Sequence, residues 1–396
     1  MSWSSKVVLL HWISTLLLLL QSAAGFDGAI AAAPDGFLQA AFEPWTRNTT
    51  SRAWTGGDVG ASCALTPTRT LWVFGDTLIG HWDGKRRVSE GAAMPHSSVG
   101  VWDLGAAPRD AMTWRWGPGN ASFFRPSWES SKEAFWAAVT APRLVDGRVL
   151  VLGNRVLYTG EGGPMGFRTN ESFIFTIDGA ADRPDDPASW ELDYFSLPHT
   201  GNLSTGGFVD FARGALLVGP WLYLYGNVRT AATGGREVLS RIPWADLRER
   251  NFSAQEYWTG AWRRGWGDDL PEALATLWSP QVAEMQPQWC DKTGSYVALT
   301  IPFGSTRVEL RAAPAPEGPW TDPRKVYDIP PPQNDTTKFF CYATMQHDVA
   351  SLPRDPSSPP PDLVFTYVCN GRTLADVFAP GAEASYIPQF VRLSFL

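Results

Sequence analysis

Histidine, cysteine and helical periodicity are all scarce in this chain of 396 residues, which has five histidines and four cysteines. No two histidines have the spacing of a zinc site, and there is no Cys-x-x-Cys, G-x-S-x-G or G-x-x-x-x-G-K motif. The sequence therefore gives no support to zinc enzymes, to serine hydrolases with a nucleophile elbow or to P-loop proteins. We expect no cofactor and no catalytic metal.

Basic residues and long apolar runs are also few. Lys and Arg number 33 against 40 Asp and Glu, and no basic cluster is present, so we expect no nucleic-acid partner. One apolar run, residues 7–20, follows Lys6 and precedes the small residues 22–24, which is typical of a secretory signal peptide. It is shorter than the roughly 20 residues of a membrane span. We predict a signal peptide over residues 1–24, with an uncleaved anchor as the alternative, and no membrane contact after its removal.

Glycosylation motifs support passage through a secretory pathway. Six of the nine asparagines open an Asn-x-Ser/Thr sequon, and they are Asn48, Asn120, Asn170, Asn202, Asn251 and Asn334. We predict a secreted, extracellular monomer, with the vacuole or cell wall as other destinations. The cysteines allow up to two disulfides in an oxidising compartment, and Cys341 with Cys369 is the first candidate pair because both lie in neighbouring predicted strands.

What the sequence has in abundance is a repeated strand. The repeats are "LWVFGDT" at 71–77, "VLVLGNRV" at 149–156, "WLYLYGNV" at 221–228, "YVALTIPFG" at 296–304 and "LVFTYVCNG" at 363–371. Each follows a turn signal and another β-like run, and the repeat length is roughly 70 residues. Two domains or a pair of β-sandwiches would not explain five even copies. We predict one all-β domain over 25–396, a five-bladed β-propeller with blades of roughly 50–125, 126–195, 196–270, 271–335 and 336–396.

Two aspartates lie at the open end of the first predicted hairpin. Its turn is centred near Pro67, midway between Asp58 and Asp76, so a regular hairpin would place their Cβ atoms roughly 5 Å apart. Superposition of the repeats places Asp210 near the position of Asp58. It also places asparagines at the position of Asp76, namely Asn154, Asn227 and Asn370. One end of the propeller is therefore predicted to gather these side chains around the central axis.

Two carboxylates close together favour acid–base chemistry. Repulsion raises the pKa of one group and leaves the other ionised, which is what glycoside hydrolysis requires. Two other interpretations stay open: Asp76 caps the turn after its strand, or the oxygen cluster holds a structural calcium ion. Asp210 alone is equally well explained as a structural residue.

Aromatic residues supply further candidates, since an indole ring can stack on a sugar. The chain has 20 tryptophans. Trp54, Trp221 and Trp278 are candidate substrate contacts, together with Asn154, Asn227 and His347, although most propeller tryptophans wedge blades together. Glu161 and Glu171 are alternative acids in the second blade, and the sequon at Asn170 argues against Glu171.

The motif "TGGDVG", with "LWVFGDT" behind it and "HSSVGVWD" farther on, resembles a secreted propeller family long catalogued as a domain of unknown function. Four later segments agree: "EVLSRIPWADL" at 237–247, "YWTGAWR" at 257–263, "ELRAAPAPEGPW" at 309–320 and "ASYIPQFVRLSF" at 384–395. The family is similar in architecture to five-bladed arabinanase, fructosidase and xylosidase propellers, and some bacterial members are endo-D-arabinanases. The resemblance implies that Asp58 and Asp76 are catalytic. Many members have Asn-Ser where this chain has His96-Ser97, a difference that implies an altered substrate subsite at His96.

We therefore predict a glycoside hydrolase acting on a polysaccharide or glycan, an arabinan-like one among the candidates. One of Asp58 and Asp76 is the general acid and the other the base or nucleophile, and Asp210 tunes their pKa values or binds sugar. The alternative is a non-catalytic glycan-binding propeller. A sialidase-like enzyme is disfavoured because the chain has no S-x-D-x-G-x-T-W box.

Overall fold

The computed structural model describes residues 28–46, 52–106, 111–141, 143–160, 166–204, 206–230 and 234–396. The predicted signal peptide over 1–24, the sequon at Asn48 and Glu161 lie outside the described residues. Within the described residues, no helix is both long and apolar enough to cross a membrane.

Strands dominate the described residues, and most of them are bounded by glycine-containing or proline-containing turns. The first nine are β1 (Ile30–Pro34), β2 (Ala53–Thr66), β3 (Arg69–Gly80), β4 (Ser98–Asp103), β5 (Met112–Arg115), β6 (Glu133–Thr140), β7 (Val149–Tyr158), β8 (Phe167–Asp178) and β9 (Glu191–Ser196). The next seven are β10 (Gly201–Asn202), β11 (Gly207–Val209), β12 (Gly214–Val218), β13 (Trp221–Thr230), β14 (Arg236–Pro243), β15 (Glu256–Trp258) and β16 (Trp262–Arg264). The remaining seven are β17 (Gln288–Cys290), β18 (Ser295–Thr300), β19 (Arg307–Ala313), β20 (Arg324–Asp328), β21 (Phe339–His347), β22 (Leu363–Gly371) and β23 (Gln389–Phe395).

Helices are few and short. The α-helices are α1 (Gly36–Thr46), α2 (Trp244–Arg248), α3 (Leu270–Ala273) and α4 (Leu374–Val377). Short 3-10 turns occupy Pro118–Asn120, Pro187–Ser189, Phe252–Ala254 and Val349–Ser351.

The strands form five antiparallel sheets arranged as a β-propeller. Four are four-stranded: β2-β3-β4-β5, β6-β7-β8-β9, β17-β18-β19-β20 and β1-β23-β22-β21. The all-β class and the propeller arrangement are thus confirmed. The predicted count of five blades was wrong, because four sheets are regular blades and the third sheet in chain order is an irregular sheet of seven strands. Each repeated segment nevertheless lies in a different sheet: β3, β7, β18 and β22 are second from one edge of their four-stranded sheets, and β13 lies between β14 on one side and β11 and β12 on the other.

The irregular third sheet has an interrupted inner strand. Both β11 and β12 pair with β13, and residues 210–213 lie between them without ladder pairing. Gly226 on β13 permits the close approach of this interruption, because a Cβ there would lie 1.9 Å from the Asp210 carbonyl oxygen. A short hairpin, β15-β16, extends the outer edge. Asp210 therefore lies in the interruption and not within a regular strand.

The last sheet is closed by the N-terminal strand, which the repeat pattern did not anticipate. β1 pairs with β23 through five residue pairs, from Ile30 with Phe395 to Pro34 with Val391. The helix α1 that follows inserts Phe42 among the aromatic side chains of the first sheet, where its ring meets Trp72 edge-on at 5.1 Å. Truncating a buried aromatic of this kind costs about 3–5 kcal/mol.

Cysteine pairing follows from the register of the last sheet. Cys341 on β21 lies directly opposite Cys369 on β22, and the two form a disulfide, as predicted. Cys63 and Cys290 are free, and both are buried.

Candidate active site

The candidate site begins at a bulge in the first hairpin. Gly57 pairs with Thr77 and Val59 pairs with Phe74, so Asp58 alone faces Gly75 and Asp76. A bulge of this kind redirects side chains that regular pairing would alternate between the two faces. Asp58 and Asp76 face each other across the hairpin as expected, but they lie within the strands and not at their open end, because pairing continues to Ala53 and Gly80.

The backbone around Asp58 is strained. Val59 has a φ of 66°, in the left-handed region that a β-branched residue strongly disfavours. Gly75 is required opposite, because a Cβ there would lie 2.4 Å from Asp58 Oδ1. Ala343, which follows the neighbouring Tyr342, also has a positive φ of 53°. Strain of this kind persists where the surrounding structure imposes it, and it is concentrated at functional sites.

Asp58 is a half-buried carboxyl with few compensating partners. The Tyr342 hydroxyl donates to its Oδ2 at 2.8 Å. Oδ1 accepts no well-formed hydrogen bond from the described residues, although the backbone of Asp76 lies close enough to favour its charge. Burial, followed by the charges of Asp76 and Glu284, raises the pKa of Asp58 well above its ordinary value. Asp58 therefore retains its proton to higher pH than an exposed aspartate does.

Asp76 is held by a histidine. His96 Nδ1 lies 2.8 Å from Asp76 Oδ1, and the Tyr158 hydroxyl lies 3.1 Å from His96 Nε2. Burial opposes protonation of the imidazole, but the hydrogen bond and charge of Asp76 outweigh it and raise the pKa of His96. The His96 backbone N–H donates to Ser122 Oγ at 3.1 Å, which fixes the segment that carries the ring. The hydrogen bond to His96 therefore fixes the orientation of the Asp76 carboxyl.

A cavity of about 360 Å³ opens beside the two aspartates. Its walls come from four of the five sheets and from the turn after β18. Five of the six residues predicted to converge are in the lining, Asp58, Asp76, Asn154, Asn227 and Asn370, and Asp210 is not. The repeated Asp/Asn position thus places one polar side chain per sheet at the same mouth in four of the five sheets. A concave, mostly apolar pocket with a few converging polar groups is the usual form of a small-ligand site.

Asp210 lies beneath this cavity and is fully buried. Arg213 contacts its Oδ2 through Nε at 3.0 Å and Nη2 at 2.9 Å, and the Asn227 backbone N–H donates to its Oδ1 at 3.3 Å. Arg213 also reaches Glu284 Oε1 at 3.5 Å. Asp210 therefore serves as a counterion to Arg213, which itself lines the cavity.

Among the site residues that sequence reasoning missed are three charged residues and a tyrosine: Arg213, Glu237, Glu284 and Tyr342. Glu237 is fully buried, and burial followed by the charge of Asp210 raises its pKa well above the ordinary value. With its amide oriented to satisfy both atoms, Asn227 donates to Glu237 Oε2 at 2.8 Å and accepts from Arg213 Nε at 3.2 Å. Glu237 opens one of the resembling segments, which was the available signal, whereas Glu284 lies in a connection with no repeat pattern.

His347 was wrongly placed in the cleft. It is buried, with Nδ1 at 2.8 Å from Ser62 Oγ and Nε2 at 2.9 Å from Thr366 Oγ1. Burial lowers the pKa of His347 to about 3, so the ring is a neutral core residue.

The three tryptophans proposed as sugar contacts also lie away from the cavity. Trp54 is fully buried and stacks on Trp114 at 4.1 Å, and Trp278 is buried against Trp320. Trp221 packs under the Arg241 guanidinium at 4.1 Å. All three are used in packing, because a strand of a propeller blade has neighbours on both faces. The aromatic residues that do line the cavity are Trp136, Phe167, Phe303, Phe340 and Tyr342.

The remaining candidates concern modification and metal. Asn202, Asn251 and Asn334 are exposed, and Asn120 and Asn170 are half-buried. Across the described parts of the chain, no group of three or more His, Cys, Asp or Glu side chains could hold a metal ion. Glycosylation and a structural calcium ion stay predictions.

Comparison with known families gives one match. The model of a domain of unknown function, DUF5005, matches residues 42–395. No curated protein sequence matches the chain.

Solved structures show a similar fold. A protein of Bacteroides ovatus ATCC 8483, provisionally described as a hydrolase, is similar over 92% of this chain and 90% of its own, with a TM-score of 0.68 and 17% identity. At that identity the likeness concerns the fold alone. A GH62 α-L-arabinofuranosidase from Coprinopsis cinerea covers 94% of this chain and 98% of its own, with a TM-score of 0.45 and 10% identity. A family 117 glycoside hydrolase from the marine bacterium Zobellia galactanivorans covers 93% and 91%, with a TM-score of 0.45 and 9% identity. The last two likenesses are too distant to bear on activity.

Proposed function

The chain belongs to the DUF5005 family, and from its site we propose that it is a glycoside hydrolase. One observation carries the proposal. Asp58, a half-buried carboxyl whose pKa is raised, lies beside Asp76, which is hydrogen-bonded to His96, at the mouth of a cavity. Glycosidic bond cleavage needs one carboxyl that holds a proton at working pH and a second that is ionised.

The two aspartates take different roles. Asp58 donates its proton to the leaving glycosidic oxygen, because its burial and its neighbours keep it protonated. Asp76 acts as base toward water or as nucleophile toward the anomeric carbon, and His96 orients its carboxylate. Carboxyl separations of about 5–5.5 Å accompany retention and about 6.5–9.5 Å inversion. The stereochemical outcome is therefore a separate measurement.

The charges around the cavity support a neutral substrate. Arg213 is the one lysine or arginine among the described lining residues, and it is already paired with Asp210 and Glu284. An anionic sugar would find no free cation and would meet Asp76 and Glu284. A neutral polysaccharide is the better substrate class, and the T-G-x-D-x-G and F-G-D-T motifs make an arabinan-like polymer the first to test. We propose that the protein meets it after secretion.

A non-catalytic glycan-binding propeller is the second candidate. It is favoured by the partners that the carboxylates already have, Tyr342 for Asp58 and Arg213 for Asp210, which would suit hydrogen-bonding to sugar hydroxyls as well.

The two candidates separate in an assay for new reducing ends on neutral and anionic polysaccharides. Arabinan, arabinoxylan and fructan are the neutral set and polygalacturonate the anionic one. The hydrolase proposal expects cleavage of a neutral polymer that is lost in Asp58→Asn and Asp76→Asn and retained in Asp178→Asn. Asp178 pairs with Arg148 outside the cavity and is a matched control. Retention of the protein in polysaccharide-containing gels, with no cleavage by wild type, supports the binding module.

A further inference from the structure

One aromatic side chain at the cavity is left almost entirely in solvent. Phe303 is 74% exposed, the most exposed aromatic residue in the described ranges, and it lines the cavity beside the two aspartates. Trp289, at 46% exposed, is the other aromatic residue with a large exposed surface, and it lies outside the cavity. A single exposed apolar residue is ordinary on a protein surface, but one in the lining of a binding cavity is available to a ligand.

The turn that carries Phe303 is closed by a backbone hydrogen bond. Pro302 precedes it, Gly304 follows with a φ of 77°, and the Ser305 backbone N–H donates to the Pro302 carbonyl at 2.8 Å. Ile301, at the start of the turn, is buried. Proline removes backbone freedom before the ring, so presenting Phe303 to a ligand costs little conformational entropy.

Four residues, Ile301, Phe303, Phe340 and Tyr342, form an apolar wall of the cavity. Phe340 lines the same cavity and stacks on Tyr342, with ring centroids 5.4 Å apart and planes at 16°. Tyr342 is the residue whose hydroxyl donates to Asp58. Burial, followed by the charge of Asp58, raises the pKa of Tyr342, so this wall, Ile301, Phe303, Phe340 and Tyr342, bears no ionised group at neutral pH.

We propose that Phe303 is a stacking platform for a sugar ring bound outside the cleaved bond, so that the enzyme requires an oligosaccharide or polysaccharide. The inference rests on the proposed function and extends it to substrate length. A sugar ring presents a face of C–H groups that packs on an aromatic ring, while its hydroxyls stay in water or reach polar partners such as Asn370 on the same cavity. An exposed phenylalanine with no hydrogen-bonding group suits the neutral sugars that the paired Arg213 also favours.

The test compares Phe303→Ala with wild type on two kinds of substrate. The first is the neutral polysaccharide that wild type cleaves, with its oligosaccharides of increasing length, and the second is p-nitrophenyl α-L-arabinofuranoside. We expect KM for the longer substrates to rise about tenfold, the scale of one aromatic contact, with kcat and the aryl glycoside kinetics little changed. Phe303→Trp should restore the wild-type KM, and Trp289→Ala should behave as wild type.

Unchanged KM for long substrates in Phe303→Ala would overturn this inference and leave the hydrolase proposal intact, provided that Asp76→Asn still abolishes cleavage. Where wild type cleaves nothing, gels containing the same polysaccharides give the readout, and loss of retardation in Phe303→Ala supports the platform. Equal retardation of the variant, or no retardation of wild type by any polysaccharide, would overturn it.

Discussion

Two acidic groups, one lining the cavity on the first sheet and one beneath it on the third sheet, differ in what neutralises them. On the first sheet, the half-buried Asp58 has the Tyr342 hydroxyl and the like charge of Asp76 as neighbours. On the third sheet, the buried Asp210 has two contacts from Arg213. The carboxyl on the first sheet has a raised pKa, whereas the carboxyl on the third sheet is held in an ion pair with arginine. The same position of the repeat therefore supplies an acid in one sheet and a structural counterion in another.

The largest expected effect is on activity, and it distinguishes the aspartates of the first sheet from Asp210 of the third sheet. Asp58→Asn and Asp76→Asn should each lower kcat by about 10³-fold, since positioned acids and bases contribute roughly 10²–10⁴-fold. Asp210→Asn should retain most of the kcat of the folded enzyme. Initial rates, normalised to the folded fraction by circular dichroism, check this. If Asp210→Asn folds normally and loses as much activity as Asp76→Asn, the assignment of Asp210 as a structural counterion is wrong.

For stability, the Asp210–Arg213 pair of the third sheet should matter more than the aspartates of the first sheet. Arg213→Met leaves Asp210 buried without its cation and should lower the free energy of unfolding by about 3–5 kcal/mol. The double variant Arg213→Met/Asp210→Asn should recover much of that loss, because it removes the stranded charge together with its partner. Urea denaturation of the single and double variants measures the coupling. Equal stabilities of Arg213→Met and wild type would contradict the counterion role.

The pH dependence of Asp58 sharpens the comparison. Its pKa is higher in the folded protein than in the unfolded chain, so ionisation destabilises the fold as pH rises through the raised value. Asp58→Asn removes that cost. The melting temperature of the variant relative to wild type should therefore increase as pH rises from about 4, the ordinary aspartate value, and then level off. Scanning calorimetry across pH checks it, and a difference that shrinks with rising pH would contradict the assignment.

His96 should have the smallest effect of the four. Its folded pKa is raised, so the stabilising His96–Asp76 pair is fully present below about 6.5 and is lost as pH rises through the folded value. His96→Asn, which introduces the residue of the resembling family, should cost about 1 kcal/mol at pH 5.5 and less at pH 9. Denaturant midpoints at the two pH values measure this. A cost that is larger at the higher pH would exclude an imidazolium partner for Asp76.

The features that could be predicted from the sequence are those that recur in the repeated strands. The steps between the repeated strands predicted one strand in each of five sheets, and the glycine of F-G-D-T marks the close approach of Asp58 to Gly75. The seven-stranded third sheet could not be predicted, because nothing in the local pattern says that the inner strand breaks at Asp210. Strand propensity indicates that a segment is extended, but it does not show which strands it pairs with. The pairing around the break depends on tertiary contacts.

The solvent exposure of individual side chains also could not be predicted from the sequence. Trp54 and His347 have the chemistry of ligand contacts, yet both are packed inside the fold, whereas Phe303 carries no polar signal and lies in the cavity. Arg213 and Glu284 come from irregular segments that the repeat does not align. Their meeting depends on how two sheets are placed around the axis.

The protonation of Asp58 can be measured directly by infrared titration of the protonated carboxyl C=O band, assigned by its disappearance in Asp58→Asn. The account predicts that this band persists in wild type well above the ordinary aspartate pKa and that its midpoint moves to lower pH in Asp76→Asn. A midpoint at the ordinary value in wild type, or one that Asp76→Asn does not move, would contradict the assignment of Asp58 as the acid.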